Sequence, residues 1–208
     1  MPTDQARRQR NPRGQGERLR EDIIEAASHL LEDPGGPPLS LRAVARQAGV
    51  AATSVYLHFD DVESLVRAVA SRRFTDLIRA QDAASTDLAD PCERLRAACL
   101  MYCEFGVAHP GHYQVTFTNP LPVGEDVPWD QMPGQAAWQH FVEGVAPCLG
   151  LPADDPESMR TALLLWQQLH GTVSLRISRP RFPWPPLADT VTEAINRLIA
   201  PVRPADDP

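Results

Sequence analysis

Apolar residues recur at intervals of three and four along nearly the whole chain, and no segment alternates strictly between apolar and polar positions. The three-to-four repeat places apolar side chains on one face of a helix, whereas strict alternation is typical of a strand. Prolines lie between the periodic segments, where a helix cannot continue. The pattern therefore predicts an all-α protein of about nine helices.

In the first third of the chain, an amphipathic helix is followed by a Pro- and Gly-rich loop and then by three closely spaced helices. Ser40 is placed to cap the first of these three. Gly49 can end it by adopting a left-handed backbone conformation. A second short helix lies within residues 50–60, and Asp61 can cap a longer helix that reaches Phe74.

The middle of the chain predicts further helices with clear start and stop signals. Residues 81–89 are polar and precede the next predicted helix. Asp90, which precedes a proline, caps a helix that extends to Ala108. Residues 112–117 predict one short helix, and another helix ends at Gly150.

The longest predicted helix begins at Asp155 and Pro156. Its apolar positions alternate four and three apart, as in a helix that packs along another helix: Met159, Leu163, Trp166, His170, Val173 and Ile177. A last apolar stripe runs from Leu187 to Val202. Two copies of these two helices can form a four-helix bundle, so we expect a homodimer. Its interface is predicted to contain Leu163, Val173, Ile195 and Leu198.

Length and composition limit the class of protein. A chain of 208 residues with 43% hydrophobic residues can bury one or two small cores. Its apolar runs are far shorter than the roughly 20 residues needed to cross a bilayer, so we expect no membrane association. The polar, Arg-rich beginning does not predict a secretory signal. Four scattered cysteines fit a reducing compartment, and we expect a cytoplasmic protein.

The net charge of −7 is unevenly distributed. Residues 1–73 contain 11 Arg and 10 acidic residues, whereas residues 74–208 contain 9 Arg and 17 acidic residues. Six of the arginines fall within residues 1–20. A basic N-terminal arm favours a polyanion as partner, although on charge alone a solvated tail explains it equally well.

Residues 40–59 carry the most informative pattern. They predict two short helices joined by a Gly-containing turn, the second of which is too short to be stable alone. Such a helix, held away from a scaffold, fits the major groove of DNA, where its first turns reach base edges. The same shape also occurs in proteins that contact other proteins instead of DNA.

This segment resembles the helix-turn-helix of TetR-family transcriptional repressors. The resemblance lies in Leu41-x-x-Val44-Ala45, Gly49-Val50 and Tyr56-Leu57-His58-Phe59. Downstream, Trp166, His170 and Gly171, with His109-Pro110-x-x-Tyr113, are similar to the TetR-type C-terminal domain with a Trp-His-Gly signature. The resemblance implies a disordered basic arm over 1–17, a three-helix DNA-binding domain over 18–74, and an effector-binding and dimerisation domain over 75–208.

The resemblance also implies roles for matching positions. DNA contacts are expected from Arg42, Ala52, Thr53, Ser54, Tyr56 and His58. The arm residues Arg7, Arg8, Arg10 and Arg13 are expected to reach phosphates or the minor groove. Three positions depart from the family pattern. Ala51 stands where a capping Ser or Thr is usual, which costs about 1 kcal/mol of local stability. Ala52 offers a methyl group and no hydrogen bond, so it can contact a base only through a thymine methyl, and Val62 stands where a phosphate-binding Lys is common.

Most aromatic residues lie in the C-terminal part, among helices interrupted by proline. They can form an ordinary core or the wall of a ligand cavity. The family resemblance favours a pocket, and the candidate lining residues are Tyr102, Phe105, Tyr113, Phe117, Trp138, Phe141, Trp166 and His170. Such a wall suits a small, mostly hydrophobic effector.

Two alternative functions come from other classes. Cys99 and Cys103 lie four apart on one helix and can be read as a metal or redox sensor, although cysteines at this spacing usually pack as small hydrophobes. The chain can also be a helical protein-interaction module that does not bind DNA. No nucleophile elbow, phosphate-binding Gly loop or paired-carboxylate pattern indicates an enzyme, and no cofactor or metal site is predicted.

The interpretation that accounts for most of the pattern is a transcriptional repressor similar to those of the TetR family. It is expected to bind a palindromic operator in double-stranded DNA as a homodimer. A small hydrophobic effector is expected to release it from the DNA.

Overall fold

A computed structural model describes residues 15–32, 38–118 and 128–199, which form nine α-helices and no strand. The predicted all-α class is confirmed. The helices are α1 (Gln15–Glu32), α2 (Leu41–Gln47), α3 (Ala52–Tyr56), α4 (Val62–Ser85), α5 (Pro91–Ala108), α6 (Pro110–Tyr113), α7 (Gln135–Leu149), α8 (Pro156–Ser178) and α9 (Leu187–Leu198). A π-helical turn (Gln114–Thr118) follows α6, and a 3-10 turn (Trp129–Gln131) precedes α7. Within these ranges, no helix is long and apolar enough to span a membrane.

The chain divides into two compact units, Met1–Val69 and Ala70–Pro208. In the first unit, α1, α2, α3 and the start of α4 enclose a small core that contains Ile23, Val44 and Leu65. Each of these side chains is completely buried. Burial of a large aliphatic side chain contributes about 1.5 to 3 kcal/mol, so a few such residues can hold the short helices α2 and α3 in place.

Local capping fixes where the helices of the first unit begin and end. The Oγ of Ser40 accepts a hydrogen bond from the main-chain N–H of Ala43 at 3.2 Å. Gly49 has φ +68°, the left-handed conformation expected after α2. Asp61 accepts a hydrogen bond from the N–H of Ser64 at 2.6 Å, which starts α4 and lowers the pKa of the Asp61 carboxyl. All three predicted signals are confirmed.

Helix α4 corrects the predicted organisation. It has 24 residues and continues past Phe74 to Ser85, so it includes much of the polar stretch over 81–89. It is also longer than α8, which has 23 residues. Residues 75–85 contain neither Pro nor Gly, and Leu77 and Gln81 continue the inward-facing repeat of Phe74. The prediction failed because polarity was read as a break where no breaker residue exists.

The second unit packs α5, α7, α8 and α9 around one core. Asp90 caps α5 by accepting the N–H of Glu93 at 2.9 Å, as predicted. The single helix predicted over 112–117 is instead the end of α6 and most of the π-helical turn. At Gly106, an added Cβ would lie 2.7 Å from Cγ1 of Val173, so the glycine permits close approach of α5 and α8.

The buried face of α8 differs from the predicted seam. Its core residues are Ala162, Leu165, Leu169 and Val173, whereas Met159, Leu163 and Trp166 are each about two-fifths exposed. Val173 and Ile195, both predicted at a dimer interface, are 0% and 2% exposed within their own chain. These two assignments were wrong, because side chains that fill the core of one chain cannot also contact a second chain.

Candidate DNA-binding surface and ligand cavity

Helix α3 is a single five-residue turn that depends on its surroundings. It begins after Ala51, whose backbone is extended and whose methyl side chain makes no capping hydrogen bond, as the sequence predicts. The main-chain oxygen of Ala51 accepts the N–H of Ser54 at 2.9 Å. Val55 is completely buried and Phe59 is 4% exposed, so these two residues anchor the helix to the first unit.

The remaining side chains of α2 and α3 include a polar, solvent-exposed group. Tyr56 is 50% exposed, Arg42 and Thr53 are exposed, and Ala52, Ser54 and His58 are half-buried. The predicted arm residues Arg7, Arg8, Arg10 and Arg13 lie outside the described residues. Guanidinium and hydroxyl groups can contact phosphates and base edges, and a methyl group can contact thymine, so these α2 and α3 side chains offer the chemistry that DNA binding requires.

Two exposed residues were not predicted at this surface. Leu57, at the end of α3, is 83% exposed. Arg46 lies one helical turn after Arg42 and is also exposed. The four-residue spacing of the two arginines on an amphipathic helix is the signal that could have identified Arg46. Leu57 carries no signal of its own, because its exposure follows from the burial of Val55 and Phe59.

The second unit contains a cavity of about 460 Å³. Six of the eight predicted pocket residues line it: Tyr102, Phe117, Trp138, Phe141, Trp166 and His170. Tyr113 is buried and does not line the cavity, but its hydroxyl lies 3.2 Å from Nδ1 of His170, which does. Phe105 was placed wrongly. It is 41% exposed and packs on the ring of His109, with 4.7 Å between ring centroids, because it directly precedes the buried Gly106 on α5 and points away from the core.

Other parts of the cavity wall were missed. They include Phe74, Leu77, Gln81, Thr116, Gly134 and Ala137. Phe74 is the last residue of the part of α4 that the sequence predicted, and Leu77 and Gln81 belong to the part that it did not predict. Gly134 has φ +94°, and a Cβ there would lie 2.8 Å from Cζ of Phe74, so only glycine fits at this point of the wall. No pattern in the sequence pairs residues 74 and 134.

His170 is the centre of a small polar cluster beside the cavity. Its Nδ1 is hydrogen-bonded to the hydroxyl of Tyr102. The hydroxyl of Tyr113 donates to the main-chain oxygen of His170 at 3.2 Å and lies 3.1 Å from Oγ of Ser174. Phe117 and Trp166 pack on the imidazole, with centroid distances of 4.8 and 4.5 Å. Burial lowers the pKa of His170 to about 4, so the ring is neutral near pH 7.

The thiols considered as a sensor are enclosed by the core. Cys99 and Cys103 are free and completely buried. Burial raises the pKa of the Cys103 thiol to about 12 and raises that of Cys99 further. Since the thiolate is the reactive and metal-binding form, both are poorly suited to sensing in the folded protein. Across the described part of the chain, no group of three or more His, Cys, Asp or Glu side chains is placed to hold a metal ion.

An all-helical chain with a short helix-turn-helix near its beginning has the architecture of a DNA-binding transcriptional regulator. Residues 23–69 match the model of the family described as bacterial regulatory proteins, tetR family. Residues 95–200 match the tetracyclin repressor-like C-terminal domain. The chain belongs to the TetR family of helix-turn-helix DNA-binding regulators, which confirms the predicted resemblance.

Individual relatives agree with this assignment. The chain is 32% identical over 160 residues to the uncharacterized HTH-type transcriptional regulator Rv0681 of Mycobacterium tuberculosis, covering 76% of this chain and 70% of that protein. A protein of unknown function from Rhodococcus sp. RHA1 has a similar structure, with TM-score 0.71, 26% identity, and coverage of 91% of this chain and 97% of its own. The regulator FadR from Bacillus subtilis, solved in complex with stearoyl-CoA, shares the fold, with TM-score 0.67, 14% identity, and coverage of 88% and 99%.

Proposed function

We propose that this protein is a homodimeric transcriptional repressor that a small, mostly hydrophobic effector releases from a palindromic operator. The observation that carries the proposal is the course of α4. This helix begins at Val62, immediately after the helix-turn-helix, and its later residues Phe74, Leu77 and Gln81 form part of the cavity wall. A ligand in the cavity therefore contacts the helix that continues into the DNA-binding unit.

DNA binding is assigned to the exposed side chains of α2 and α3. Arg42 and Arg46 supply positive charge for phosphates, while Thr53 and Tyr56 supply hydroxyls for the groove. The buried anchors under α3 keep this short helix in place as it enters the major groove. Two such helices in a dimer read half-sites about 34 to 36 Å apart, which accounts for a palindromic operator.

Dimerisation is assigned to the outer face of α8. Leu164 is 39% exposed and Leu175 is 51% exposed, and both share this face with Gln168 and Gly171. A Cβ at Gly171 would meet nothing within 4 Å in its own chain. Because glycine inside a helix costs about 0.5 to 1 kcal/mol relative to alanine, a helix of a second copy packed closely at this point explains its presence. Of the predicted interface residues, Leu198 lies beside Leu164 in a groove between α8 and α9. Leu163 is 42% exposed but lines the cavity, so it is not assigned to this face.

The dimer assignment is tested by replacing Leu164 with arginine. Leu164→Arg puts a charge into the proposed interface and is expected to yield monomers in sedimentation velocity. Val107→Arg is the matched control, because Val107 is an exposed apolar residue, 38% accessible, on α5. Dimers of Leu164→Arg as stable as those of the control would contradict this interface.

Effector release follows from differential binding. A ligand that favours one position of α4 over another by 1 to 3 kcal/mol changes operator affinity by about 5- to 150-fold. The described cavity wall contains no Asp, Glu, Lys or Arg, so it favours an uncharged apolar molecule. The FadR structure with stearoyl-CoA supports a ligand-binding role for this fold, although that ligand carries charged phosphates.

A pair of neighbouring alanines separates ligand binding from DNA binding. Ala137 lines the cavity, whereas Ala136 is exposed on the same helix. The neutral dye N-phenylnaphthylamine is expected to bind wild type and Ala136→Trp but not Ala137→Trp, because the indole fills the cavity. Hydrophobic compounds that displace the dye are then tested for release of operator DNA.

Ala137→Trp should bind DNA as wild type does and resist release by those compounds. If every dye-displacing compound leaves the wild-type protein on its operator, the effector part of the proposal is wrong. If Ala137→Trp still binds the dye, the cavity is not the binding site.

A further inference from the structure

The cavity wall is apolar except at a few points. Its polar side chains, apart from the indoles, are Gln81, Tyr102, Thr116 and His170. The hydroxyl of Thr116 already donates to the main-chain oxygen of His112 at 2.9 Å. The hydroxyl of Tyr102 is engaged with His170. Besides the indole N–H groups, His170 and Gln81 therefore carry the polar groups that are left for a bound molecule.

The hydrogen bonds around His170 indicate which ring nitrogen carries the proton. The hydroxyl of Tyr113 lies 3.2 Å from the main-chain oxygen of His170 and 3.2 Å from its Nδ1. Tyr102 is 6% exposed, and its hydroxyl interacts with Nδ1 of His170 and with the hydroxyl of Tyr113. We assign the Tyr102 proton to its bond with Nδ1, because an imidazole nitrogen is a stronger base than a phenol oxygen. Nδ1 is then unprotonated, and the proton of the neutral imidazole is on Nε2.

The Nε2–H edge of the ring is free to bind a ligand. No described residue forms a hydrogen bond with Nε2, and His170 lines the cavity. Burial lowers the pKa of His170 to about 4, so the ring donates without carrying a positive charge near neutral pH. Burial also raises the pKa of Tyr102, which keeps the donor hydroxyl protonated.

Gln81 adds a second polar point on α4. Its side chain is 8% exposed, and its amide has no hydrogen-bond partner among the described residues. An amide can both donate and accept, so it can bind an oxygen or a hydroxyl. Gln81 lines the cavity, where a ligand or water can form these hydrogen bonds.

We infer that the cavity takes a neutral, largely apolar carbonyl compound (a ketone, ester, lactone or amide) whose carbonyl oxygen accepts the Nε2–H of His170. Gln81 binds a second polar group where the ligand has one. The inference rests on the proposed function only in naming this ligand as the effector. A carboxylate is disfavoured, because it would lose its hydration to a cavity whose described wall offers no positive charge.

Three probes of nearly equal shape test the ligand class: the ketone valerophenone, the hydrocarbon pentylbenzene, and the anion phenylpentanoate. Quenching of the cavity tryptophans reports binding. The variant is His170→Phe combined with Tyr102→Phe, which keeps both rings and leaves no tyrosine hydroxyl without its acceptor. The ketone-to-hydrocarbon affinity ratio is expected to fall about tenfold in the double variant, since a buried carbonyl loses one hydrogen bond. Phenylpentanoate is expected to bind wild type more weakly than the ketone does.

Nitrogen-15 NMR of the wild-type imidazole supplies an independent readout, because the two tautomers have different nitrogen shifts. A proton on Nε2, with an Nε2 shift that changes on addition of valerophenone, supports the inference. A proton on Nδ1, or an affinity ratio that is the same in wild type and variant, overturns it while leaving the cavity as a binding site.

The probes also separate this inference from the proposed function. If they bind with the expected ratio but neither they nor related carbonyl compounds release DNA, the inference stands and effector release fails. If none of the three binds to the wild-type protein, both are contradicted.

Discussion

Replacing Gly171 with alanine tests whether the outer face of α8 contacts a second copy of the chain. Within one chain the new methyl group meets nothing within 4 Å. Higher helix propensity should then stabilise the folded chain by about 0.5 to 1 kcal/mol. For a chain of this size, 1 kcal/mol corresponds to a rise in Tm of about 2 to 4 °C. The effect on a dimer should have the opposite sign.

In a closely packed symmetric dimer, the substitution places two methyl groups in the interface. Overpacking costs about 1 to 3 kcal/mol at one site, so the dimer dissociation constant should increase at least tenfold. Sedimentation equilibrium measures this constant. Thermal melts over a range of protein concentrations separate the folding stability of the monomer from dimer dissociation.

Two other helical glycines serve as controls. At Gly144 the nearest atom to an added Cβ is 3.9 Å away, so Gly144→Ala should raise Tm and leave the dimer unchanged. At Gly106 the Cβ would lie 2.7 Å from Val173 and 3.1 Å from Tyr113, so Gly106→Ala should lower Tm. If Gly171→Ala behaves like Gly144→Ala in both measurements, Gly171 is not at an interface and the argument is refuted.

Three further predictions concern caps, pH and thiols. Ala51→Ser adds a helix cap and should raise the free energy of unfolding by about 1 kcal/mol in urea titrations. Ser40→Ala removes a helix cap and should lower it by about the same amount. Equal effects of the same sign would contradict this prediction. Between pH 6.5 and about 4 the unfolded chain binds a proton at His170 that the folded chain does not. The free energy of unfolding of wild type should therefore fall more steeply on acidification through this window than that of His170→Phe. Parallel pH profiles of the two proteins would show that the histidine is not buried as a neutral ring. Cys99 and Cys103 should resist iodoacetamide at pH 8 in the native protein and react after unfolding in urea, as mass spectrometry can measure; rapid native labelling would revive the sensor hypothesis.

The sequence predicted best those features that depend on adjacent residues. The caps at Ser40 and Asp90 and the turn at Gly49 were predicted because a hydrogen bond or a positive φ within four residues determines them. The short helix α3 was predicted because the residues before and after it restrict its length.

The features that failed depend on packing between distant segments. Val173 and Ile195 lie on apolar stripes that fit a core as well as an interface, and only the position of neighbouring helices decides between the two. Phe105 is apolar and close to Tyr102 in sequence, but it lies on the exposed side of α5. The contact of Gly134 with Phe74 joins residues 60 positions apart in sequence, so no local pattern can indicate it.

The claim that the exposed residues of α3 bind DNA is tested most directly by selection from a random pool of duplexes, followed by affinity measurement on the selected sequence. Wild type, Tyr56→Ala and Arg94→Ala are compared by fluorescence anisotropy, with melts to confirm that each is folded. Tyr56 is half exposed, so its removal should not unfold the protein, and Arg94 lies exposed on α5 as a control. We predict a palindromic selected sequence, wild-type affinity for Arg94→Ala, and a loss of about tenfold for Tyr56→Ala. A pool that yields no preferred sequence, or equal affinity of Tyr56→Ala and wild type, would contradict the account.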